Sequence, residues 1–119
     1  MRKCIAVDFD GTLSEYHGFN GIGVYGPPIP AMIERVKEWI ANDIEVVVFT
    51  ARASTRDVTG ALTSAAQNES HLEKMYIMNW CVEHIGRDLL VTGEKLKRFS
   101  EISDDRAVRV ETNTGQRIL

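Results

Sequence analysis

Six side chains in this 119-residue sequence could do chemistry together: Asp8 and Asp10 in the run Asp8-Phe9-Asp10-Gly11-Thr12, then Thr50, Lys95 and the pair Asp104-Asp105. The first run is the sharpest. Its two carboxylates follow the apolar tetrapeptide Cys4-Ile5-Ala6-Val7, and alternate side chains of an extended chain point to the same side. Asp8 and Asp10 therefore converge just past the end of that segment, where they repel each other unless a cation neutralises them. A hard, oxygen-seeking magnesium ion, Mg²⁺, suits such a pair. A calcium-binding EF-hand loop is excluded. Counted from Asp8, its sixth position requires glycine and its twelfth glutamate, whereas the chain has Leu13 and Phe19 there. An Asp-x-Asp pair standing alone is also common in solvated turns, so the elements around it decide.

Those elements read as alternating strands and helices. Residues 4–7 are apolar on both faces, as a buried parallel strand requires. Residues 13–30 hold four glycines and three prolines, which forbid a long regular element and leave a flap loop directly above the acidic pair. Tyr16, His17, Phe19, Asn20 and Tyr25 are the loop side chains able to meet a ligand. Pro30 opens a helix whose apolar stripe is Met32, Ile33, Val36, Trp39 and Ile40. Asn42-Asp43 ends it, and residues 44–49 form a second strand running into Thr50. A helix between two buried strands is a parallel βαβ unit. Residues 53–68 read as a loop with a weak helix inside it. A stronger helix is expected over 69–85, with Leu72, Met75, Met78, Val82 and Ile85 on its buried stripe and Gly86 ending it. His71 and His84 read as helix-end residues without a catalytic role. A third strand spans 88–92 and a fourth 99–103, and Val108-Arg109-Val110 alternates like an edge strand. Each chemistry-bearing group thus follows a predicted strand, on the rim where open parallel sheets bind ligands.

Whole-chain properties narrow the class. A length of 119 residues suits one domain, here 1–119. Apolar residues make up 44% and charged residues 26%, ordinary for a globular protein. The net charge of -3 gives no broad basic surface for nucleic acid, although a local basic rim is compatible with it. No apolar run approaches the roughly 20 residues needed to span a bilayer, and the chain opens on a strand rather than a signal peptide. Cys4 and Cys81 each lie in an apolar segment and read as buried small hydrophobes of a reducing compartment. The expectation is a cytoplasmic protein without a membrane partner.

With the strand ends lined up, the chain resembles the haloacid-dehalogenase (HAD) superfamily of phosphohydrolases in its small, capless form, over nearly its whole length. That family's first motif, a hydrophobic strand and then Asp-x-Asp-Gly-Thr, matches Val7-Asp8-Phe9-Asp10-Gly11-Thr12-Leu13. The second, a strand ending in Ser or Thr, matches Val46-Val47-Val48-Phe49-Thr50, with Ala51-Arg52 a common continuation. The third, a lysine, falls on Lys95, which Leu96 follows where many small relatives have proline, with Lys97 close behind. The fourth, an acidic pair, matches Asp104-Asp105. The resemblance implies an α/β fold: a Rossmann-like open parallel sheet flanked by helices, with no cap domain. It also implies a Mg²⁺-dependent phosphatase in which Asp8 attacks phosphorus to give an aspartyl-phosphate. Asp10 would protonate the leaving oxygen and then activate water. Asp8, the backbone carbonyl of Asp10 and one of Asp104 or Asp105 would hold the metal. Thr50 and the backbone of the Ala51-Arg52 turn would hold phosphoryl oxygens, and Lys95 would supply positive charge. Gly11 would let the backbone approach the phosphate while Thr12 steadies its turn, and Arg52, Arg56 and Arg106 would form an anion-attracting rim.

Without a cap, only the 13–30 loop can cover such a site. An open site suits a phosphorylated substrate of some bulk, or completion by a second copy in a homo-oligomer. Ile102-Ser103-Asp104-Asp105-Arg106 is similar to the Ile-Asp-Asp-Arg of the 3′-phosphatase domain of polynucleotide kinase. Capsule-biosynthesis phosphatases and small phage-encoded members share it too. Nucleotides, polynucleotide ends and sugar phosphates therefore all stand as expected substrates. Two other classes compete. A receiver domain also gathers acids, a hydroxyl and a lysine around Mg²⁺, but its phosphorylated aspartate ends the middle strand, where this chain has Thr50. The other is a non-catalytic phosphate- and Mg²⁺-binding interaction module with the same fold, which loss of turnover in Asp8→Asn would separate from an enzyme.

Overall fold

A computed structural model describes residues 2–118. Strands β1 (Cys4–Val7), β2 (Glu45–Phe49), β3 (Leu90–Thr92) and β4 (Glu101–Ser103) form one sheet. Helices α1 (Pro30–Ala41) and α2 (Ser64–His84) flank it. Apolar residues at every position of β1 put that strand inside, where all four are buried. The sheet order is β3-β2-β1-β4 and every pairing is parallel. The result is a Rossmann-like open α/β sheet. The chain moves outward from β1 to β2 to β3 and then returns to the other side of β1. A reversal of strand order opens a crevice at the carboxyl ends of the strands it separates, here β1 and β4.

Register sets what stands on that rim. Val7 lies opposite Val48 and Ser103, and Val48 lies opposite Val91. The residues that follow each strand therefore emerge level with one another. Val7, Val48 and Val91 share a core with Ile33 and Val36 of α1 and with Ile77, Trp80 and Cys81 of α2. Each such side chain contributes about 1.5–3 kcal/mol on burial. Pro30 stands in the first turn of α1 as expected, and the chain leaves the helix through Asp43 at φ 60°. Cys4 and Cys81 are buried free thiols, and burial pushes the Cys81 thiol up to about 12, which leaves it unreactive. No described helix is long and apolar enough to cross a membrane.

Three expectations are corrected. Helix α2 begins at Ser64, not near residue 69, because the Thr63 hydroxyl accepts from Ala66 N at 3.0 Å and caps it. Its buried face is Ala66, Ser70, Glu73, Ile77, Trp80 and Cys81, while Leu72, Met75 and Val82 face outward. Apolar residues occur all round this helix, so periodicity does not select a face. Polar partners do: Ser70 Oγ donates to Ala53 O at 2.7 Å, and Glu73 meets an arginine described below. Finally, Val108-Arg109-Val110 joins no strand of the sheet. Val110 pairs with Arg117 in a local exposed bridge, and Ile118 N donates to Arg109 O. The alternating pattern is satisfied within that turn, with no core for it to face.

Candidate active site

Asp8 leaves β1 with its amide donating to Ser103 O at 2.8 Å, which carries the β1–β4 ladder one residue past the strands. That pairing brings Asp8 beside the acidic pair that follows β4. Carboxylate oxygens of Asp8, Asp104 and Asp105 all lie within 4.8 Å of one another. Asp8 is only 8% exposed. Burial, together with the charges of Asp104 and Asp105, pushes its carboxyl up to about 7, against a hydrogen bond from Phe9 N–H that favours the ionised form. Arg106 N donates to Asp104 Oδ1 at 2.8 Å and fixes that side chain. Gly11 sits at φ 79°, and a Cβ there would collide with the Asp105 carboxylate. A side chain at this left-handed position would be strained and would push the Asp105 carboxylate aside. Three converging carboxylate oxygens, mutually repulsive, with Asp8 buried, Asp104 half-buried and Asp105 exposed, are donors of the type that a hard divalent cation such as Mg²⁺ takes.

Between the acids the chain alternates as the strand did. Phe9 turns into the core, edge-on to Tyr25 and Trp80 at centroid distances of 4.8 and 5.0 Å. Its carbonyl accepts from the amides of Thr12, Leu13 and Ser14, which makes the tight turn after Asp10. Asp10 is not in the acidic cluster by side chain. Its Oδ2 instead accepts from Arg52 Nε at 2.7 Å. Arg52 follows the end of β2, where Thr50 caps a 3-10 turn over Ala51–Ala53 by accepting from Arg52 N. Thr50 N donates to Thr92 O, so its hydroxyl is held on the same rim as Asp8.

Arg52 is the hub of a network that the sequence reading did not contain. Its Nη1 donates to Glu73 Oε2 at 2.8 Å and to Gly21 O at 3.2 Å. Its Cζ lies 4.9 Å from the Phe19 ring centroid and 4.8 Å from the Tyr25 ring centroid, within cation–π range of both. Glu73 Oε1 accepts in turn from Tyr25 Oη at 2.6 Å and from Gly23 N at 2.9 Å. Burial and the Glu73 carboxylate push the Tyr25 phenol above its usual range, so it remains the donor. The 13–30 segment is therefore a structured flap. Its stem is closed by Glu15 N to Pro27 O and Ile29 N to Leu13 O, and its tip is latched to α2 through Glu73. Residue spacing held no signal for Glu73, because apolar residues occur all round its helix and its partner Arg52 lies 21 positions away.

A cavity of about 420 Å³ opens over this floor. Its lining includes Asp8, Asp10, Thr50, Ala51, Arg52 and Asp105, so six of the expected site residues meet there. Gly11 and Thr12 line a different concavity on the far side of Asp105, with Asp104 and Met32. Thr12 Oγ1 is buried there with no partner among the described residues. Lys95 is exposed in the β3–β4 connection and, like Lys97, is not part of the cavity wall. Arg56 turns back onto Gly60 O, while Arg106 lines the cavity. His84 packs against Trp80.

No family model matches the chain, and no curated protein matches it. Among solved structures it is similar to a conserved protein from Bacteroides thetaiotaomicron, with a TM-score of 0.57 and 22% identity over 91% of this chain and 79% of that one. At that identity the likeness shows the shared fold.

Proposed function

We propose that the chain is a Mg²⁺-dependent phosphomonoester hydrolase of the HAD type that works through an aspartyl-phosphate on Asp8. The observation that carries this reading is the convergence of Asp8, Asp104 and Asp105 at the β1–β4 reversal, beside a cavity that also takes in Asp10 and Thr50. Asp8, Asp104 and Asp105 would hold the metal, whose charge would offset that of the phosphoryl group. In the first step an Asp8 oxygen attacks phosphorus, the ester P–O bond breaks, and the departing oxygen takes a proton from Asp10. In the second, Asp10 removes a proton from water. The hydroxide attacks phosphorus, the bond to Asp8 breaks, and inorganic phosphate leaves. The Arg52 bond to Asp10 Oδ2 leaves Oδ1 free for both transfers. The Thr50 hydroxyl and the amides of the turn after it would receive phosphoryl oxygens. Lys95 is given no step.

The test is release of inorganic phosphate from p-nitrophenyl phosphate and a panel of natural monoesters, with Mg²⁺ and with a chelator. Turnover that needs Mg²⁺ and disappears in Asp8→Asn is the expected result. Retained Mg²⁺ binding with no turnover of any ester would make the chain a binding module instead.

A further inference from the structure

One part of the cavity lining differs in kind from its acids. Tyr16, Phe19 and Ile22 of the flap and Val58 of the β2–α2 loop line it together, and all four are exposed, Phe19 at 62%. Large apolar side chains scattered singly over a surface mean little, but several facing one cavity mark the part of a site that receives an apolar ligand body. Phe19 is also held in place. One side of its ring faces the Arg52 guanidinium, and that guanidinium bonds directly to Asp10. A single planar group thus separates the aromatic ring from the group assigned to the leaving oxygen. A group attached to that oxygen would share one cavity with Phe19.

Charge narrows the body further. Glu69 and Glu73 also line the cavity. The cations of the lining are Arg106 and Arg52, and Arg52 is already paired with Asp10 and Glu73. A polyanionic strand gains affinity from rows of free lysine and arginine, which this wall lacks. A sugar phosphate would offer Phe19 only a small C–H face ringed by hydroxyls. A nucleobase offers an apolar face to the ring and N–H donors at its edge to the Glu69 carboxylate.

From this we infer that the substrate class is the nucleoside monophosphate, its phosphate over Asp8 and its base against Phe19. The inference rests on the phosphomonoesterase reading and chooses among the esters that reading allows.

The experiment compares kcat/KM for AMP and UMP with that for glucose 6-phosphate, a 3′-phosphorylated oligonucleotide and the ring-free acetyl phosphate. The native chain, Phe19→Ala and Phe19→Trp are assayed with Mg²⁺. The mononucleotides are expected to lead by at least about tenfold. Phe19→Ala is expected to lower the preference for AMP over acetyl phosphate by about tenfold, mainly through KM, which is the scale of stacking one base on one ring. Phe19→Trp is expected to keep that preference. Equal or better use of the sugar phosphate or the oligonucleotide overturns the inference and leaves the phosphatase standing, as does an equal effect of Phe19→Ala on AMP and acetyl phosphate. If no ester is hydrolysed, the phosphatase reading fails separately. Calorimetric titration of AMP against glucose 6-phosphate in Mg²⁺ then decides: AMP binding weakened by Phe19→Ala upholds the base site, and absence of any preference overturns it.

Discussion

Glu73→Gln tests whether the Asp10–Arg52–Glu73 network is a structural unit. The substitution preserves shape and leaves one oxygen to accept from Tyr25 Oη and Gly23 N. In place of Oε2 it sets an amide NH₂ against Arg52 Nη1, now 2.8 Å from an acceptor. Donor would then face donor, and Arg52 would keep Asp10 as its one carboxylate partner in the network. Side-chain exposures of 6% for Arg52 and 3% for Glu73 mean that water does little to screen the loss. Removing one partner of a buried pair costs about 3–5 kcal/mol. The surviving Asp10 bond puts the expected value near the lower end, about 3 kcal/mol. For a chain of this length that is a fall in melting temperature of about 10 °C. The assay is urea and thermal unfolding followed by circular dichroism, run as a double-mutant cycle with Arg52→Met. With Arg52 gone, Glu73→Gln should become neutral or stabilising, because it then removes an unpaired buried charge. A loss under about 1 kcal/mol for Glu73→Gln alone, or additive losses in the cycle, would refute the reasoning.

Gly11→Ala is expected to cost about 1–2 kcal/mol for the left-handed backbone. Because its methyl group would displace the Asp105 carboxylate, it should also weaken Mg²⁺ binding by about tenfold in calorimetry. Asp8 makes metal-free stability pH-dependent. Its folded-state value of about 7 lies above the usual carboxylate range, so its contribution is full in acid below that range and is lost as pH rises through 7. The metal-free melting temperature should therefore fall between pH 5 and pH 8, and added Mg²⁺ should restore it at pH 8. Over the same interval Mg²⁺ affinity should rise with pH and level off above about 7, with proton release on binding below that point. Asp8→Asn should abolish phosphate release yet raise the metal-free melting temperature at pH 8, since it removes the repulsion among Asp8, Asp104 and Asp105.

What the sequence disclosed depended on whether a local pattern had one physical solution. An all-apolar Cys4–Val7 can only be an interior strand, and Pro30 can only sit in a first helical turn, so both were legible. The sequence put Asp8 and Asp104-Asp105 each at a strand end on one rim, but their meeting was implied only by the family resemblance, and the β1–β4 pairing is what brings them together. The inward face of α2 was not legible, since its apolar residues allow two faces and the choice fell to Glu73, whose partner Arg52 lies 21 positions away. The side on which Gly11 and Thr12 fall was hidden for a similar reason: the turn after Asp10 is set by three amides sharing the Phe9 carbonyl. Val108 and Val110 show the converse. A period of two predicts extended chain, but a hairpin with Arg117 satisfies it without any sheet.

The flap's grip on Arg52 ties access to competence. Gly21 O, Val24 O and the Phe19 and Tyr25 rings all belong to the loop, while Asp10 holds the other end of the same guanidinium. A molecule whose loop has lifted to admit substrate has therefore also loosened the anchor of Asp10. For the proposed hydrolase, the turnover number would then be the rate constant of the latched form multiplied by the fraction of molecules latched. A ligand that itself presses the loop down onto Arg52 would raise that fraction as it binds, so its own binding would restore the anchor of Asp10.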